Sequence, residues 1–131
     1  MEIEKRINEV KNDFKFVQVY LINGLIKEPI IRVSDFNHSK ILERLLREFK
    51  ISFETRMGKE RKYSIPIENK NGSYKIVGAG KFKVLDEGKI GYYPNSYDYD
   101  LRPNHEHFKE MEKHQEFKFV EMDSLGEKVL S

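Results

Sequence analysis

Cysteine is missing altogether from the 131 residues of this chain. Its absence removes a disulfide framework, thiolate catalysis and Cys-ligated zinc together. No apolar run approaches the roughly 18 residues that a membrane-spanning helix needs. The opening Met1-Glu2-Ile3-Glu4-Lys5-Arg6 also lacks the apolar core of a signal peptide. A soluble, cytoplasmic protein with no membrane partner is the expectation. A large excess of one charge is missing too, since 24 Lys and Arg nearly balance 22 Asp and Glu for a formal charge of +2. That balance favours solubility and leaves nucleic-acid binding to depend on local clusters.

What is present suffices for one domain. Hydrophobic residues make up 38% of the chain, with nine Phe and seven Tyr, enough for a core without help from a metal or disulfide. The expected division is one domain over 1–123 and a loose tail over 124–131. Ile3, Ile7, Val10 and Phe14 recur at helical spacing, so 2–13 reads as a short amphipathic helix. Phe14 to Ile22 is aromatic and β-branched, and Asn23-Gly24 signals a tight hairpin into a strand ending at Val33. Pro29 restricts that strand to an edge or an interrupted pairing.

A helix capped by Asp35, Asn37 or Ser39 follows, with Ile41, Leu42, Leu45, Leu46 and Phe49 on its apolar face. Residues 51–56 and 61–67 alternate as a second hairpin. Strands are predicted over 73–77, 81–85 and 90–93, with Gly78-Ala79-Gly80 as a turn between the first two. Pro103-Asn104 opens a helix to about Gln115, and 116–122 closes the chain as a strand. The fold class is therefore α+β, a single domain whose mixed, mostly antiparallel sheet carries two or three helices.

Chemistry concentrates between Gly78 and His105. A small-residue turn, Gly78-Ala79-Gly80, leads into Lys81, and a later loop carries Ser96 between Tyr92, Tyr93, Tyr97 and Tyr99. Bare backbone lets N–H groups approach an anion while an ammonium neutralises it. Glycine at such positions more commonly supplies positive φ in a strand bend or bulge, and Pro94-Asn95-Ser96 is also ordinary turn chemistry. The spacing is not that of a P-loop. The tyrosines interleaved with Lys81, Lys83 and Lys89 offer a second reading, a stacking platform for single-stranded nucleic acid. His105, His107 and His114 invite a metal, but residues two apart on a helix point away from each other and no metal site is expected.

The stretch from Gly78 to His105 resembles the Janus/ocnus family, the phosphohistidine phosphatases, in the order of a glycine turn with a cation, a Tyr-x-x-Ser-Tyr loop and a following His. Phe14-Lys15-Phe16-Val17 and Ile30-Ile31-Arg32-Val33 through Asn37-His38 are similar to the family's opening strands and to the His before its helix. The resemblance implies hydrolysis of a phosphoramidate (P–N) bond on a phosphorylated protein or small molecule, with no cofactor and no metal. It implies His38 as the catalytic base, a phosphate site of Lys15, Gly78, Gly80, Lys81, Ser96, Tyr97 and Asp98, and His105 as a support of that site. The chain departs from the family in Lys81, which replaces a guanidinium, in the carboxylates Asp98 and Asp100, and in an apparent insertion over 51–70. A non-catalytic interaction protein, or a single-stranded nucleic-acid binder on the same fold, is the alternative.

Overall fold

Two hydrophobic faces on one sheet organise the chain, because an interior strand of that sheet is apolar on both sides. The computed structural model describes residues 14–57, 64–85, 88–94, 99, 101–114 and 116–130, so the helix expected over 2–13 lies outside the described residues. Strands β1 (Phe14–Asn23) and β2 (Ile26–Ser34) form a hairpin, and α1 (His38–Glu48) follows. A small ribbon of β3 (Glu54–Met57) and β4 (Ser64–Ile67) precedes β5 (Tyr74–Val84) and β6 (Lys89–Tyr93). Helix α2 (His105–Glu112) and β7 (Lys118–Glu121) complete the fold.

The five-stranded sheet has the order β2-β1-β5-β6-β7 and is antiparallel except for the parallel β6–β7 pair, giving the expected α+β class. No helix among the described residues is long and apolar enough to cross a membrane. The β1–β2 turn is the one written in Asn23-Gly24, with Gly24 at φ +64°, and Pro29 falls on the sheet's edge strand, where a missing N–H is tolerated.

Side chains alternate across β1, so Phe14 and Phe16 face one way and Val17 and Val19 the other. The first face is aromatic: Phe16 stacks on Phe82 at 4.1 Å between centroids, and Tyr92 and Phe119 stack on Phe108 of α2 at 4.3 and 4.6 Å. The second face packs Val17, Val19, Tyr74 and Ala79 against Ile41, Leu42, Leu45 and Leu46 of α1. Each buried Val, Leu, Ile or Phe side chain here contributes about 1.5–3 kcal/mol through removal from water, which fixes both helices to the sheet. Both N-caps are asparagines, Asn37 accepting from the Lys40 N–H and Asn104 from the His107 N–H.

Two expectations are corrected. Gly78-Ala79-Gly80 is not a turn, because it runs through the middle of the continuous strand β5. A β-bulge does sit beside it, where Gln18 opposes Gly78 and Val19 opposes Ile76, yet neither glycine has positive φ. Instead the glycines make room on the aromatic face. A Cβ on Gly78 would overlap Gln18 Oε1, and one on Gly80 would lie 2.5 Å from the Tyr93 carbonyl and 3.1 Å from the Phe16 ring. In the tail expected to be loose over 124–131, the described residues 124–130 fold back instead: Met122 bridges Val129, and the Leu130 N–H donates to the Glu121 carbonyl at 2.8 Å.

A buried polar network ties α2 to the bulge. Gln18 and His107 are fully buried. Gln18 Oε1 accepts from the Asn104 N–H at 2.7 Å, and its Nε2 donates to the Asn104 carbonyl at 2.9 Å. Because a carbonyl only accepts, His107 Nε2 carries the proton that it gives to the Val19 carbonyl at 3.0 Å, and Nδ1 takes the Gln18 amide at 3.3 Å. Burial pushes the His107 pKa below its ordinary 6.5, outweighing the Val19 bond and the Glu110 charge, which raise it.

The unfolded chain thus takes up a proton that the folded one refuses, so His107 contributes stability above pH 6.5 that is lost as pH falls from there through its folded pKa. Urea melts from about pH 7 to about pH 5 should show this decline. A His107→Gln variant, which keeps a donor for Val19, should show a flatter profile. Equal slopes in the two proteins would exclude His107 as its source.

Candidate functional site

Strand register sets four side chains in a row on the α1 face. Ser34 on β2 pairs with Lys15 on β1, Lys15 with Lys81 on β5, and Lys81 with Tyr93 on β6. Directly opposed residues of an antiparallel pair point to the same side, with Cβ atoms about 4.5–5.5 Å apart. Val17 and Ala79, two positions along from the lysines, belong to the cluster beneath α1 and fix which side that is. Both lysines are half-buried, and among the described residues neither forms an ion pair. Two ammonium groups opposed in this way repel each other, so the row attracts an anion.

His38 reaches the same row from above. It is the first residue of α1 and is only 3% exposed, with its Nε2 2.9 Å from the carbonyl of Gly80, the neighbour of Lys81. The carbonyl can only accept, so Nε2 is the protonated nitrogen, and in the neutral ring Nδ1 keeps the basic lone pair. Lys15, His38, Gly80 and Lys81, far apart in the sequence, are therefore brought together. The N-terminus of α1 adds the positive end of its dipole to this region.

The remaining predicted site residues are placed differently. Gly78 lies in the bulge and serves the Gln18 network on the opposite face. Ser96, Tyr97 and Asp98 lie outside the described residues, as does Asp100. Their described neighbours are Pro94, next to Tyr93 of the row, and Tyr99, whose hydroxyl donates to the Pro66 carbonyl at 2.9 Å. His105 is not brought to the row. It sits beyond the aromatic face, where its Nδ1 is 2.6 Å from the Tyr92 hydroxyl. Burial first, then the charges of Glu121 and Glu112, pushes the Tyr92 pKa up to about 12, so the phenol in this pair stays protonated at neutral pH.

The β3–β4 ribbon, which falls within 51–70, docks away from the row. Its hydrogen bonds come from Tyr99 and from Tyr74, and Tyr74 lies seven positions from Lys81 along β5, roughly 23 Å at the rise of a strand. As a stacking platform the tyrosines are poorly presented, since Tyr92 and Tyr93 are 5% and 4% exposed. His105 and His107 take unrelated partners, and among the described residues no group of three or more His, Cys, Asp or Glu side chains is placed to hold a metal ion.

Sequence reasoning missed two participants. Tyr93 closes the row through the β5–β6 register, which nothing in the residue order shows. Gln18 carries the buried network, and its one signal was a lone amide between Val17 and Val19 in an otherwise apolar strand. No protein-family model matches the chain, and no curated protein sequence matches it significantly.

Proposed function

We propose that this chain is a phosphohistidine-phosphatase-like hydrolase that cleaves a P–N bond. The carrying observation is the placement of two opposed lysines beside an imidazole whose Nε2–H is already committed to the Gly80 carbonyl. Lys15 and Lys81 hold the oxygens of the phosphoryl group and neutralise charge that spreads over them in the transition state. His38 Nδ1 takes the proton of a water aimed at phosphorus. The new P–O bond forms as the P–N bond breaks, and the electron pair of that bond leaves on the substrate nitrogen. An imidazole leaving group whose other nitrogen carries a proton departs neutral.

The direct test is release of inorganic phosphate from chemically phosphorylated histidine, free or within a protein. Turnover is expected, and its absence from the folded protein would overturn the reading. A second expectation separates Lys81 from a packing residue. Lys81→Ala should raise KM by about tenfold with a smaller change in kcat, because it removes one charge from the bound anion. It should leave stability equal or higher by about 0.2–1 kcal/mol, because it also relieves the repulsion from Lys15. Reduced stability with unchanged KM would assign Lys81 to structure alone.

The nucleic-acid alternative has less support. It relies on tyrosine faces, and those of Tyr92 and Tyr93 are packed inside the protein. Salt-sensitive binding of single-stranded oligonucleotides, without phosphatase activity, would favour it.

A further inference from the structure

A groove lies between β2 and α1, at the end of the lysine row. It is lined by Arg32, Val33 and Ser34 on the strand and by Arg44, Leu45 and Glu48 on the helix. Its volume, about 50 Å³, is far below the roughly 300–1,000 Å³ of small-molecule pockets. It suits a side chain better than a free ligand.

The β1–β2 register says what the strand offers there. Asn23 and Ile26 flank a two-residue turn and exchange hydrogen bonds, and alternate pairs do the same as far as Val17–Arg32 and Lys15–Ser34. The pairs between them, among them Tyr20–Pro29, Gln18–Ile31 and Phe16–Val33, do not. Two observations agree with this phase. Pro29 has no N–H to give, and the Ile31 carbonyl accepts from the Arg32 guanidinium at 3.1 Å. The N–H and C=O of Val33 are therefore directed away from β1, on the side of the groove. Val33 is only 3% exposed, and among the described residues neither group takes a partner. Buried backbone groups in folded proteins are nearly always paired.

Charge adds a preference. Glu48 is neutralised by Arg32 at 2.7 Å. Arg44 lies over the Phe36 ring at 4.3 Å and, among the described residues, forms no ion pair. The groove thus keeps one uncompensated positive charge, which favours a carboxylate.

We infer that this groove receives the peptide around the phosphohistidine of a protein substrate, as an extended segment added antiparallel to β2. The inference rests on the phosphatase reading and narrows its substrate to a phosphohistidine followed two positions later by an acidic residue. The residue between these two opposes Val33 and exchanges both hydrogen bonds with it. The phosphohistidine then opposes Ser34 and extends the line of Ser34, Lys15 and Lys81 by one strand. The acidic residue opposes Arg32 and enters the groove that Arg44 lines.

Steady-state kinetics on a short phosphohistidine peptide of this pattern, with free phosphohistidine as the reference substrate, test it. Methylating the backbone nitrogen of the residue after the phosphohistidine should raise KM about three- to tenfold, because the Val33 carbonyl loses its donor. Methylating the nitrogen of the acidic residue should leave KM unchanged, because that N–H points away from β2. Arg44→Glu should raise KM for the peptide about tenfold and leave turnover of free phosphohistidine as it was, which also shows that the fold is kept. Equal KM for the two methylated peptides, or an Arg44→Glu variant that treats peptide and free phosphohistidine alike, overturns this docking mode and leaves the hydrolase reading standing. Failure to hydrolyse either substrate overturns the hydrolase reading and this inference with it.

Discussion

Replacing His38 by alanine is expected to lower the rate of phosphoramidate hydrolysis by about 100- to 10,000-fold, the usual contribution of a positioned general base. The size follows from the geometry. With Nε2–H held by the Gly80 carbonyl, the neutral ring is fixed in one tautomer with Nδ1 as its basic nitrogen, and alanine offers no substitute. The variant has a second effect, because the buried Gly80 carbonyl loses its donor, at about 1–3 kcal/mol. Comparing circular dichroism and phosphate binding with turnover separates the two. A folded variant that still binds phosphate and has lost turnover supports the assigned role, whereas unchanged turnover removes it.

The largest effect on stability is expected at Gly78. Its α-carbon faces the amide of Gln18, and a methyl group there would overlap Oε1 and lie 3.0 Å from the Asn104 backbone nitrogen. Gln18 is fully buried and bonded on both ends of its amide to Asn104, so it cannot swing into water without leaving donors and acceptors unsatisfied. Gly78→Ala should therefore destabilise the protein by about 2–4 kcal/mol, from overpacking together with a disrupted buried hydrogen-bond network. At Gly24, by contrast, a Cβ meets nothing within 4 Å. Alanine there would cost only the strain of positive φ, about 1 kcal/mol. Chemical denaturation of the two variants checks the order; equal losses would show that the Gln18 contact is not the cause.

These two glycines also show what the residue order could reveal. Gly24 was legible because Asn-Gly between two β-branched runs has one dominant meaning, a tight hairpin turn. Gly78 was misread because a glycine that bends backbone and a glycine that admits a neighbouring side chain look alike in sequence. The helix α1 was legible from the local spacing of Ile41, Leu42, Leu45 and Leu46. The Gln18–Asn104–His107 network was not, since it joins residues more than 80 positions apart. Lys15, Lys81 and His38 were proposed as site residues from motif resemblance; that the two lysines are opposed needed the β1–β5 register, and the place of His38 its contact with the Gly80 carbonyl. His105 was read as a support of the site, and its contact with the Tyr92 hydroxyl was not legible because sequence does not say on which side of the sheet a helix will lie.

That β1–β5 register has a consequence for how the protein is made. The two strands are separated by about half the chain, so their pairing closes the longest loop of any strand pair among the described residues, a step slower than forming either local hairpin. Because Lys15 and Lys81 meet only across this ladder, a growing polypeptide carries no anion-binding row until β5 has emerged from the ribosome and docked. Under the proposed function, competence to handle phosphate arrives with this topological closure, and an incomplete chain has no partial version of it.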